Sequence, residues 1–100
     1  MKVIWSPLAQ RRALEAGDYI AQDRPDTAAQ WLDELLERVA ALHRFPRRGR
    51  EVAEIAEPDY REIFHAPYRV IYRVDPARIV ILTLRHGKRE WDPREVSHSA

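Results

Sequence analysis

The segment from Tyr60 to Glu90, YREIFHAPYRVIYRVDPARIVILTLRHGKRE, limits the folds open to this chain more than any other. From Tyr68 to Val74 the residues alternate. Tyr68, Val70, Tyr72 and Val74 project to one side, and Arg69, Ile71 and Arg73 to the other, which is the period of a strand. Asp75-Pro76-Ala77-Arg78 has turn chemistry, because proline fixes φ at the second position. Ile79 to Leu84 is a β-branched run that ends in Arg85-His86-Gly87-Lys88-Arg89. Ile63 and Phe64 belong to an apolar run closed by Ala66-Pro67. Three strands joined by two tight turns must each run antiparallel to the next. A strand built only to fill a core does not need so many cations at its end, so this sheet is expected to present a basic working edge.

The first half of the chain changes period. Lys2 to Trp5 predicts a short strand, closed by Ser6-Pro7, where Ser6 can cap a helix and Pro7 suits its first position. Ala9, Ala13, Ala16 and Ile20 form one apolar stripe. Gly17 weakens that helix by about 1 kcal/mol relative to alanine, and a close helix–helix approach would account for it. Pro25 opens a second helix with the stripe Ala28, Leu32, Leu35, Val39 and Leu42, and Phe45-Pro46 stops it. So short a connection makes the two helices an antiparallel hairpin. The expected fold is α+β in the order β-α-α-β-β-β, with the hairpin covering a small twisted antiparallel sheet. Residues 1–96 are expected to form one domain and residues 97–100 a disordered tail.

The 17 Lys and Arg residues almost balance the 16 Asp and Glu, so the clue lies in where the charges sit. Arg44, Arg47, Arg48 and Arg50 cluster in RFPRRGR. Glu51, Glu54, Glu57 and Asp59 follow without a neighbouring cation and read as a solvated acidic loop. The absence of cysteine rules out disulfide, thiol and cysteine–zinc chemistry. The four histidines are scattered without ligand spacing, so neither a metal nor a cofactor is expected. No apolar run suits a signal peptide or a membrane span, and a cytoplasmic protein is expected.

Six motifs in order resemble the RelE/ParE toxins of toxin–antitoxin modules. They are the opening IWSPLA, the Asp23-Arg24-Pro25 break, FPxxGR from Phe45 to Arg50, RE at 61 and 62, PYRVIYRV from 67 to 74, and ILTLRHGKRE from 81 to 90. The resemblance covers nearly the whole chain. It implies a small toxin silenced in a hetero-oligomer with a cognate antitoxin that is disordered in part when alone. It leaves the target open: ParE-like members bind DNA gyrase and block resealing, whereas RelE-like members cut messenger RNA on the ribosome. A third reading is a non-toxic interaction module on the same fold.

For a nuclease, the resemblance points to Arg69 and Arg89 as phosphate ligands, with His86 or His65 as acid or base. A guanidinium suits phosphate because it stays charged and binds two oxygens at once. Two departures weaken that reading. The strand before Arg69 carries Tyr60, Arg61 and Glu62 in place of lysines, and no tyrosine follows the GKRE element. The interhelix segment with Pro25, the FPxxGR loop and the REIFHAPYRVIYRV hairpin are closer to ParE-type chains. Arg61, Arg85, Lys88, Arg89 and Trp91 are then the candidate target-binding residues, with Trp91 expected at the surface. Trp31, Leu36 and Ala40, off the main helical stripe, are the candidate antitoxin-binding residues, although Trp31 also suits a core.

Overall fold

Ser6 joins the first strand to the first helix and both to the sheet. In the computed structural model, which describes residues 1–97, strand β1 spans Lys2–Trp5 and helix α1 spans Pro7–Asp23. The Ser6 hydroxyl accepts from the Ala9 amide at 3.0 Å and donates to the Leu82 carbonyl at 3.0 Å. One side chain thus caps a helix and pins it to a strand 76 residues away. Helix α2, Pro25–Ala40, follows at once, and a single 3₁₀ turn, Ala41–His43, finishes it. His43 Nδ1 lies 3.0 Å from the Ala40 carbonyl, a C-terminal cap.

The remaining strands are β2, Arg50–Glu51, β3, Tyr60–His65, β4, Tyr68–Val74, and β5, Arg78–His86, before a last turn of helix, α3, Arg94–Ser97. Their order across the sheet is β1-β5-β4-β3-β2. The α+β class and the helical hairpin agree with the sequence reading, but the sheet is mixed. β1 lies parallel to β5, and the two-residue β2 adds an edge beside β3. The helical hairpin supplies the long crossing that a parallel strand requires, and β2 is too short to show any period of its own. Of the tail expected at 97–100, residues 98–100 lie outside the described residues.

Both faces of the sheet are covered. On the helical face Ala9, Ala13, Ala16, Leu35, Val39 and Leu42 pack on Val70, Tyr72, Ile79 and Ile81. Gly17 takes no part, because nothing lies within 4 Å of the place where its Cβ would stand. The expected close helix approach at that glycine is therefore not found.

The second face is closed by irregular chain. Val52, Ile71, Leu82, Trp91 and Val96 form a smaller core there, with Ile55, Tyr60 and Val80 at its margin. A bulge helps to build it. Ile71 and Tyr72 face Thr83 and Ile81, which leaves Leu82 as an extra residue that joins this core.

Candidate functional site

Arg69 lies on the second face, near the start of β4, the middle strand of the sheet. Ile71 shares that face and pairs with Glu62 across the β3–β4 ladder, so Glu62 is a diagonal neighbour of Arg69. Arg69 is 9% exposed and Glu62 2%. Arg69 Nε donates to Glu62 Oε2 at 3.0 Å, and Nη2 donates to Glu62 Oε1. The other edge of the guanidinium donates to both oxygens of Glu54, at 2.7 and 2.8 Å. Trp91 roofs the group, with its ring centroid 5.8 Å from the Arg69 Cζ. Its indole N–H donates to Glu54 at 2.8 Å. Arg50 also reaches Glu62 Oε2, at 3.2 Å. The arginine holds the Glu54 carboxyl down at about 2, and the carboxylates push the Arg69 guanidinium up.

Arg69 shares its face with the buried Ile71 and is itself largely buried, so its guanidinium needed partners inside the fold. It found two. The acidic stretch therefore has a compensating cation after all: Glu54 closes over Arg69. Trp91, expected at the surface, is buried as the lid of this network.

The other candidate residues divide by exposure. Arg61 donates to the carbonyls of Pro58 and Gly49 at 2.8 and 3.1 Å, tying down the loop before β3. Arg85 lies directly opposite Arg69 in the sheet and 3.5 Å from Glu95, which also holds Arg12. His65 is buried, with Nε2 3.0 Å from the Trp31 carbonyl and Nδ1 3.3 Å from Arg38. A guanidinium only donates, so Nδ1 accepts and Nε2–H donates to the carbonyl, which occupies both nitrogens. Trp31 is also buried and donates to the Ala66 carbonyl at 2.8 Å. Leu36 and Ala40 remain exposed on α2.

Lys88 and Arg89 are exposed, and their side chains form no ion pair among the described residues. They follow His86, whose ring meets Tyr68 edge-on at 5.6 Å. Arg89, His86, Tyr68 and the α1 residue Tyr19 line a cleft of about 490 Å³. Beside the open edge of β1, Val3, Trp5, Leu14, Leu32 and Leu36 line a separate apolar groove of about 660 Å³. Leu14 is 61% exposed and Leu36 49%. Sequence reasoning missed Leu14, which lies off the buried stripe of α1; its distance from that stripe was the available signal. The described residues hold no group of three His, Asp or Glu side chains suited to a metal, and no helix among them is long and apolar enough to cross a membrane.

Residues 3–91 match the family described as the ParE toxin of type II toxin–antitoxin systems, parDE. A protein of Sinorhizobium fredii (strain NBRC 101917 / NGR234) named "Putative toxin Y4kP" is 32% identical over 90 residues, covering 90% of this chain and 92% of that protein. A solved structure titled "Chromosomal ParDE TA system from P. aeruginosa" superposes with a TM-score of 0.72 at 20% identity, over 86% of this chain and 95% of that one. Another, "YoeB/ParE toxin from Agrobacterium tumefaciens", gives 0.59 at 16% identity, over 86% and 98%. The fold is thus that of the small α+β toxins. The chain belongs to the ParE toxin family and is the toxin of a type II toxin–antitoxin pair, with an antitoxin as its partner.

Proposed function

We propose that this toxin acts by binding DNA gyrase rather than by cutting messenger RNA. The observation that carries this reading is the engagement of Arg69. Its guanidinium already donates four hydrogen bonds to two carboxylates beneath Trp91. A phosphate would have to displace Glu62, which is buried, and Trp91, which is packed. Binding a protein asks only for an exposed surface, and Lys88 and Arg89 with the Tyr19–His86 cleft supply one. In this reading Arg61, Arg85 and Trp91 hold the surface in place, while Lys88 and Arg89 touch the target.

The antitoxin binds elsewhere. An extended segment adds to the open edge of β1, and its apolar side chains enter the groove beside Leu14 and Leu36. The ordering of a segment that is disordered alone offsets part of the gain, so exposed leucines of this size are needed to anchor it.

The test pairs two assays on the same purified toxin. Gyrase supercoiling is expected to fall as the toxin is titrated in, with cleaved DNA accumulating, while messenger in a translating extract stays intact. A Lys88→Glu, Arg89→Glu variant should lose the gyrase effect. Intact supercoiling together with cut messenger would replace this reading with the ribosomal one. Leu14→Asp with Leu36→Asp should weaken antitoxin binding and leave gyrase inhibition untouched.

A further inference from the structure

The RFPRRGR loop has no part in the function above, yet five hydrogen bonds from or to side chains hold it in place. The buried Tyr72 hydroxyl donates to the Pro46 carbonyl at 2.8 Å and accepts from the Gly49 amide at 2.9 Å. Arg61 donates to the Gly49 carbonyl, and Arg47 donates to the Pro58 carbonyl at 3.0 Å and to Asp59 at 2.7 Å. Gly49 is obligatory here, because a Cβ would lie 2.5 Å from the Glu62 carbonyl oxygen and 2.7 Å from the Tyr72 hydroxyl.

What this clamp holds outward is cationic and aromatic. Phe45 is 57% exposed, and the Arg48 guanidinium stacks over its ring at 5.1 Å. Arg44 and Arg48 are exposed and form no ion pair among the described residues. Arg48 also lines a second groove, of about 550 Å³, with Arg38, Arg50 and Phe64. Phe64 is 53% exposed, although a Cβ on Gly87 would reach within 2.9 Å of its ring, so the ring has a firm backing. The groove exists because β2 pairs only with Arg61 and Glu62 and leaves the β3 edge open beyond them.

We infer that the strip Phe45–Arg48–Phe64 binds single-stranded nucleic acid, with phosphates on Arg44 and Arg48 and bases on the two phenylalanines. A duplex would meet the cations but bury its bases away from the rings. An unpaired strand uses both, because every base has a face to stack and every linkage carries a charge. An acidic peptide would satisfy the cations too, but it does not explain two flat, exposed rings set beside them.

The test is fluorescence anisotropy with the full chain and a labelled oligothymidylate of about twelve nucleotides, a duplex of equal length, and an acidic peptide. Preference for the single strand over the duplex is expected. Phe45→Ala should weaken binding about fivefold or more, and Phe45→Ala with Phe64→Ala should do so further. Arg44→Ala with Arg48→Ala should lower the salt slope by about 1.4, whereas loss of the distant, exposed Arg24 should not change it. These residues are on the surface, and a thermal melt of each variant checks that it folds. Equal binding of duplex with no effect of the phenylalanines would overturn the inference in favour of simple phosphate attraction. Tighter binding of the acidic peptide would make the strip a protein-docking surface. No binding of the oligonucleotide at low salt would also overturn it. Failure of gyrase inhibition has no bearing on any of these outcomes.

Discussion

The two faces of one sheet are closed by different means. The helical face meets regular elements, and its core is mainly apolar, with Leu35, Val39 and Leu42 in one cluster with Val70 and Ile81. The second face meets short irregular segments that carry too little apolar area to seal it. There the Arg69–Glu54–Glu62 network, with Trp91 above it, holds the loop and the C-terminal turn in place. Apolar cover tolerates small shifts because it is non-directional. An ion-pair clasp tolerates few, because each group depends on the geometry of the others. The face that resembles a catalytic centre in sequence is thereby turned into structure.

The sharpest way to break this comparison is to remove the clasp's cation. Arg69→Ala leaves Glu62 buried without its partner and should destabilise the protein by about 3–5 kcal/mol in urea unfolding. Arg69→Met with Glu62→Leu should recover much of that loss, since apolar groups of similar size need no pairing. If the single variant unfolds at the wild-type midpoint, the network contributes nothing and the faces do not differ in kind.

The helical face gives the reference. Leu35→Ala, at a fully buried site, should cost about 2–5 kcal/mol in the same assay, with no companion substitution able to restore it by charge removal. Acid separates the faces in another way. Glu54 falls from an ordinary 4.5 to about 2 on folding, so its contribution is complete above pH 4.5 and is lost as pH falls toward 2. A third of the Glu54 side chain still meets solvent, so the loss should be about 1–2 kcal/mol. Glu54→Gln should flatten that part of the stability–pH curve, while Leu35→Ala should only displace it. The smallest effect belongs to Gly17→Ala, which meets open space and should stabilise α1 by about 0.5–1 kcal/mol, read as a small rise in melting temperature.

Local chemistry was legible where a residue's role is decided by its neighbours in the chain. Ser6 and Pro7 start α1, the two stripes define the hairpin, and alternation from Tyr68 to Val74 sets which residues face the helices. The same alternation held a signal that was easy to pass over. Ile71 shares the face of Arg69, so that face had to be covered, and a covered arginine must be paired. The sequence does not say with what. Glu54 lies in a loop without period, 15 residues from its partner, and Trp91 follows a cationic run that reads as surface.

By itself, then, the order of residues determined the two long helices and four of the strands, their apolar faces, the turns between them and the family to which the chain belongs. Those depend on contacts a few residues apart, where period and capping leave a trace. Only the tertiary structure decided that β1 lies parallel to β5, that Arg69 is bound to carboxylates, and that Lys88, Arg89, Phe45 and Phe64 stay exposed. Each of these depends on which distant segments share a small volume, and a buried charge takes whatever partner the fold brings within reach.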